Sequence, residues 1–184
     1  MKILIVAIYK FWKTFEKILI RFRSLFLKKM FIQAGKNVRI GNHCKIDYKN
    51  IKLGNNVSIG DNALFMSDKA KIIIGNNVMF APKVTIVTGN HRYNLVGRTM
   101  FSIKSNEKET LNDQNVIIKD DVWIGTGVII LKGVTIEKGS VIGAGSVVTK
   151  STCQYGIYAG NPSKIIAERF DKKNLIDHLS IVRE

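Results

Sequence analysis

The chain of 184 residues has room for one domain with a short appendage, and an apolar content of 46% marks it as a folding chain rather than a disordered one. Two prolines and fifteen glycines exclude collagen-like and Pro-rich linker chains, while two cysteines, Cys44 and Cys153, are too few for a disulfide scaffold or a Cys-based zinc site. A net charge of +15 calls for an anionic partner: nucleic acid, a lipid surface or a phosphate-bearing ligand.

Residues 1–35 hold eight basic residues against Glu16 alone, a net +7. The stretch is predicted helical. Lys10, Lys13, Lys17, Arg21, Ser24 and Lys28 step by three or four and form one polar stripe. Phe11, Trp12, Phe15, Ile18, Leu19, Phe22, Leu25 and Phe26 lie between them. The apolar run Ile3–Tyr9 is far short of the roughly 20 residues a membrane span needs. No small-residue cleavage site follows it, so it makes a poor signal peptide. A basic amphipathic helix with Trp and Phe on its apolar face suits an anionic membrane surface. Packing on the rest of the protein or on a sister subunit suits it equally.

From residue 116 the period changes. Ile118, Ile124, Ile130, Ile136, Ile142 and Val148 stand six apart. Val116, Val122, Val128, Val134, Ser140 and Ser146 form a companion register two residues earlier. Upstream the pattern recurs with slips, through Ile40, Ile46, Leu53, Ile59 and Phe65, then Ile74, Phe80 and Ile86. The spacing from Ile86 to Ile118 predicts an inserted loop at about 88–115. A period of six fits a chain that turns a corner every six residues, so that three short strands close one triangular coil. Stacked coils put equivalent residues about 4.8 Å apart in aliphatic ladders. The expectation is an all-β solenoid over residues 36–162. Cys44 falls at an inward position and Cys153 in a loop. Residues 163–184 are predicted to be a closing helix, with Ile165, Ile166, Phe170, Leu175, Ile176 and Leu179 on one face.

Several segments resemble the bacterial hexapeptide-repeat acetyltransferases. They are Val122-Trp123-Ile124-Gly125, Gly133-Val134-Thr135-Ile136, Val141-Ile142-Gly143-Ala144-Gly145-Ser146-Val147-Val148-Thr149-Lys150 and Gly160-Asn161-Pro162-Ser163-Lys164-Ile165. The likeness covers about residues 36–170 and is closest to the sugar O-acetyltransferase and xenobiotic acetyltransferase branches. It implies a left-handed parallel β-helix, a homotrimer, and acetyl-CoA lying between neighbouring coils. With three histidines and two cysteines in the chain, no metal is expected. The family's essential histidine resembles His91 in Thr88-Gly89-Asn90-His91, and an imidazole titrating near 6.5 can accept a proton at neutral pH. His43 and His178 have no such surroundings and are expected to be structural or solvated.

On the acceptor side the resemblance points to Trp123 and Asn62, and to one of the loop carboxylates Glu107 and Glu109. On the CoA side it points to Thr126, Ala144, Thr149, Lys150 and Lys164. The chain departs from the family where Lys132 stands in place of a common proline. It departs again where Ser151-Thr152-Cys153-Gln154 replaces an acidic and diproline turn. The function implied is acetyl-CoA-dependent O-acetylation of a sugar, as a surface-polysaccharide or glycolipid precursor. The alternative is N-acetylation of an amino sugar or a small xenobiotic. The expected place is the cytoplasm, with the inner face of the cell membrane as a peripheral option through residues 1–35. An ice-binding solenoid lacks its Thr-x-Thr ladders here. A zinc hydratase on the same helix would need more than the dispersed His43, His91 and His178. Nucleic-acid binding is left with charge alone, as no reading motif occurs.

Overall fold

The computed structural model describes residues 2–182. Helix α1 spans Lys2–Leu27 and a 3-10 turn follows at Lys28–Met30. The solenoid then begins. Its first coil is β1 (Gln33–Ala34), β2 (Arg39–Ile40) and β3 (Lys45–Ile46). The second is β4 (Ile51–Leu53), β5 (Ser58–Ile59) and β6 (Leu64–Met66). The third is β7 (Ile72–Ile74), β8 (Met79–Phe80) and β9 (Thr85–Val87). The fourth is β10 (Val116–Ile118), β11 (Trp123–Ile124) and β12 (Ile129–Ile130). The fifth is β13 (Thr135–Ile136), β14 (Val141–Ile142) and β15 (Val147–Val148).

Strands from successive coils pair in parallel and build three faces. The first face stacks β1-β4-β7-β10-β13, the second β2-β5-β8-β11-β14, and the third β3-β6-β9-β12-β15. This is the left-handed parallel β-helix. The slips in the six-residue pattern are now visible as register. Ile117 pairs with Thr135, 18 residues on, but Arg39 pairs with Ser58 at 19 and Ser58 with Met79 at 21. Met79 pairs with Trp123, 44 residues on, because a long loop leaves the coil after β9.

Two side chains per hexad point inward, which is why both aliphatic registers are present. Val57, Ile59, Val78, Val122, Ile124, Val128, Ile130 and Ile136 are all at most 2% exposed. Each such side chain contributes about 1.5–3 kcal/mol. Phe65 and Phe80 meet edge to face inside the core at 5.4 Å. Where the companion register reads Ser, the hydroxyls are satisfied. Ser140 Oγ donates to the Cys153 carbonyl at 3.0 Å, and Ser146 Oγ to the Gly143 carbonyl at 2.6 Å. Cys44 packs against the core and burial pushes its thiol up, so it is an inert small residue.

The corners explain the polar residues. Between the first and second faces Asn37, Asn56 and Asn77 take positive φ, a conformation Asn tolerates. Their amides also form a column: Asn37 Nδ2 donates to Asn56 Oδ1 at 3.1 Å and Asn56 Nδ2 to Asn77 Oδ1 at 2.8 Å. Between the second and third faces His43, Asn62, Lys83, Gly127 and Gly145 repeat the same positive φ. The third corner carries the insertions.

The carboxy-terminal region differs from expectation. The expected helix over 163–184 is not formed as one element within residues 163–182, and residues 183–184 lie outside the described residues. β16 (Gly156–Ala159) adds in parallel to β14, and β17 (Lys164–Glu168) turns back on β16 as an antiparallel strand. Ile165 therefore pairs with Tyr158 instead of sitting on a helix face. The β-branched Ile165-Ile166 finds unused hydrogen-bonding groups on the last strand of the second face, and pairing overrides the helical spacing. Only Lys172–Ile181 is helix α2. Asp171 caps it, its carboxylate accepting from the Asn174 amide at 2.8 Å. His178 lies over Phe170 at 4.7 Å and meets Tyr155 edge to face at 5.8 Å, which docks α2 on the segment after the fifth coil and gives this histidine a structural role.

Candidate active site

His91 sits three residues beyond Thr88, where the chain leaves the third coil. Thr88 is buried and its hydroxyl donates to the Met66 carbonyl at 3.2 Å, so the point of departure is fixed. The loop is closed at its base. Gln114 N donates to the Thr88 carbonyl at 2.8 Å and Asn90 N to the Asn112 carbonyl at 2.9 Å. Gly89 bridges Asp113 there, and a Cβ on Gly89 would stand 2.1 Å from Asp113 Oδ1. The Asp113 carboxylate fills the space where a side chain on Gly89 would stand. Asn90 Nδ2 donates to the His91 carbonyl at 3.1 Å and holds the following turn.

Above the base, charge pairs tie the loop to itself. Arg92 pairs with Glu109 and its Nη1 donates to the Glu107 carbonyl at 2.8 Å. Glu107 accepts from the Lys104 amide at 2.8 Å and pairs with Arg98 at 3.4 Å. The Lys104 amide holds the Glu107 carboxyl below its usual range. Both loop carboxylates singled out in the sequence are thus engaged within the loop. Lys132 fastens the loop to the next coil, its ammonium donating to the Leu111 carbonyl at 2.6 Å. That contact gives Lys132 a structural role in holding the loop.

His91 is exposed at a cavity of about 290 Å3. Asp47, Asp68, Lys108 and Asp113 share its walls. None of these four stood out in the sequence. Lys108 and Asp113 pair at 2.9 Å, and Asp47 accepts from the Ser67 amide at 2.8 Å. The signal that places them is the corner register. Asp47 and Asp68 follow β3 and β6 as His91 follows β9, and insertions of different length hide this equivalence in the sequence.

The remaining candidates fall into separate groups on one chain. Asn62, Thr126 and Ala144 line the corner between the second and third faces. The ladder there runs from Lys83 N to the Asp61 carbonyl, Gly127 N to the Pro82 carbonyl and Gly145 N to the Thr126 carbonyl, at 2.8, 3.0 and 2.8 Å. Trp123 is 51% exposed on the outer side of the second face, stacked between Met79 and Val141. Thr149 and Lys150 leave β15 at the corner that carries the His91 loop, two rungs further along the third face. Two rungs amount to about 10 Å. Ser163 N donates to the Val147 carbonyl at 2.8 Å and Lys164 pairs with Ala159 at the end of β16, which places Lys164 by the start of β15, at the corner between the second and third faces.

Ser151 and Thr152 also find a physical reason. The Ser151 hydroxyl accepts from the Thr135 amide at 2.9 Å and that of Thr152 from the Glu137 amide at 2.8 Å. They satisfy the outer edge of β13, which has no further strand beside it. Thr126, Ala144, Thr149, Lys150 and Lys164 are all exposed, and space over Gly127 and Gly145 is open. An extended ligand can lie along these corners without displacing a side chain, and two lysines at the fifth coil suit its phosphates. Among the described residues no group of three or more His, Cys, Asp or Glu side chains is placed to hold a metal ion. No helix among them is long and apolar enough to cross a membrane.

Known proteins share this fold. The bacterial transferase hexapeptide (six repeats) family matches residues 115–150. A galactoside O-acetyltransferase of Lactococcus lactis is 37% identical over 105 residues, which cover 56% of this chain and 46% of that protein. A galactoside O-acetyltransferase of Escherichia coli is 34% identical over 154 residues, covering 82% of this chain and 70% of that protein. The solved structure of a galactoside acetyltransferase in complex with coenzyme A superposes with a TM-score of 0.70 at 33% identity, covering 83% of this chain and 72% of that one. The chain belongs to the hexapeptide-repeat acetyltransferase family, in its branch similar to the galactoside and maltose O-acetyltransferases.

Proposed function

We propose that the protein transfers an acetyl group from acetyl-CoA to a hydroxyl of a sugar, with His91 as the general base. The imidazole takes the proton of the acceptor hydroxyl as that oxygen attacks the thioester carbonyl. The carbon–sulfur bond then breaks, and the CoA thiolate leaves and takes the proton back from the imidazolium. Transfer is direct, with no acyl-enzyme. The observation that carries this reading is the placement of His91. It stands at the mouth of a cavity, on a loop whose base is pinned by Thr88 and Gln114, at the corner that also carries Lys150.

Thr126, Ala144, Thr149, Lys150 and Lys164 hold the CoA, the two lysines acting on its phosphates. Asn62 and Trp123 face the acceptor. Asn62 lies across the third face from the His91 loop and Trp123 lies on the second face, both apart from that loop on the same chain, so the complete site forms between neighbouring copies in a homotrimer. Glu109 acts through Arg92 by fixing the loop. The acceptor is a precursor of a surface polysaccharide or glycolipid, acetylated in the cytoplasm. A screen of acetyl-CoA turnover against nucleotide-sugars, free oligosaccharides and lipid-linked sugars tests this, together with light scattering. Turnover with one sugar class by a trimer supports it, whereas a monomer at micromolar protein leaves the site incomplete and contradicts it.

A further inference from the structure

Helix α1 touches the solenoid along one narrow stripe. Ser24 is 1% exposed and its hydroxyl accepts from the Ile40 amide at 3.0 Å. Arg23 Nη2 donates to the carbonyls of Ile40 at 3.0 Å and Gly41 at 2.5 Å. Leu27 packs against the core. With Ile20 these positions form the docking side of the helix. At 100° per residue the opposite side carries Ile8, Phe11, Phe15, Phe22 and Leu25, each between 41% and 73% exposed. The apolar band therefore faces away from the body of its own chain.

Charge indicates what covers the band. Lys10, Lys17, Arg21 and Lys28 run in a column along its flank. Between α1 and the second face lies a cavity of about 480 Å3 whose wall includes Lys17, Arg21 and Arg39 and no acidic residue. These three cations have no ion-pair partner among the described residues. A second copy is a poor occupant, because residues 1–35 of each copy carry a net +7 and would repel. The apolar band is also far wider than the two-position seam of a coiled coil. An apolar band bordered by unpaired cations matches the layered chemistry of an anionic bilayer surface.

We propose that α1 lies on an anionic lipid surface, its apolar band at the boundary of headgroups and acyl chains, with lipid phosphates held between Lys17, Arg21 and Arg39. The test reads lipid binding and not turnover, so it stands apart from the acetyl-transfer reading. Full-length protein is sedimented with vesicles of phosphatidylcholine alone and with vesicles containing phosphatidylglycerol, at low and high salt. Partitioning to the anionic vesicles at least tenfold above the neutral ones is expected, with partial persistence at high salt. Lys17→Gln/Arg21→Gln/Arg39→Gln should weaken it about 100-fold, on the usual worth of a basic residue near such a surface. Phe11→Ser/Phe15→Ser/Phe22→Ser should weaken it at least as much while leaving the melting temperature and the mass in light scattering unchanged. Equal sedimentation with both vesicle types overturns the proposal. So does wild-type binding by the Phe variant, and a changed mass in that variant would assign the band to a second copy.

Discussion

The Gln114 amide donates to the Thr88 carbonyl at 2.8 Å, so the chain that leaves the solenoid at Thr88 returns at the same rung. The excursion adds no strand to the solenoid, and its His91, Lys108 and Asp113 wall the cavity together with Asp47 and Asp68 of earlier corners. The regular coils fix two anchor points, and the loop between them is free to carry chemistry.

The first consequence concerns His91. His91→Ala should leave fold and assembly intact, because the side chain is exposed and outside the core. Turnover should fall by about 10²–10⁴, the usual worth of a positioned general base. Steady-state kinetics with a working acceptor decides it, and activity within a few-fold of wild type removes His91 from the mechanism.

Gly89→Ala tests the loop base separately. The new Cβ would meet Asp113 Oδ1 at 2.1 Å, and Asp113 is held by Lys108 at 2.9 Å. The Asp113 carboxylate must turn away from Lys108, which loosens the loop base and is expected to shift His91. A misplacement of about 1 Å costs on the order of 10² in rate. Thermal stability should change by less than about 1 kcal/mol, because the core is untouched. A lost fold, or full activity, would show that the base does not position the histidine.

The donor side rests on two lysines. Lys150→Ala combined with Lys164→Ala should weaken CoA binding, and the loss should shrink as salt rises, because charge contacts to phosphates are screened. Calorimetry at two ionic strengths measures both. Unchanged affinity would remove the lysines from the site without touching the role of His91.

The solenoid itself makes a prediction about stability. Ile124 is fully buried in the fourth coil. Ile124→Ala leaves a cavity between rigid neighbours and should cost about 2–5 kcal/mol in chemical denaturation. A loss below about 1 kcal/mol would mean that the coils collapse around the gap.

Most of the fold was legible because a hexad ladder is a local signal. Ile118 to Val148 announce their spacing, and the slips at 46–53 and 65–74 reappear as the register shifts of 19 and 21 residues. Ile165 and Ile166 misled for a physical reason. Their helical spacing was real, but an unfilled strand edge on β16 offered more hydrogen bonds than a helix face offered contacts. The site was legible only where residues carry a motif. His91 was found in Thr88-Gly89-Asn90-His91. Asp47, Asp68, Lys108 and Asp113 were missed, because they meet at a corner whose insertions differ in length from coil to coil. Lys132 and Ser151 stood out as departures from the family, and their roles in fastening the loop and closing an edge needed the three-dimensional arrangement.

The central claim is acetyl transfer from acetyl-CoA to a sugar hydroxyl. The direct measurement is acceptor-dependent release of the CoA thiol by the full-length protein, with mass spectrometry of the sugar product. One thiol released for each acetyl group gained is expected, with loss of both in His91→Ala. Absence of CoA binding to the wild-type protein in calorimetry, with no acetylated sugar across all three acceptor classes, would contradict it.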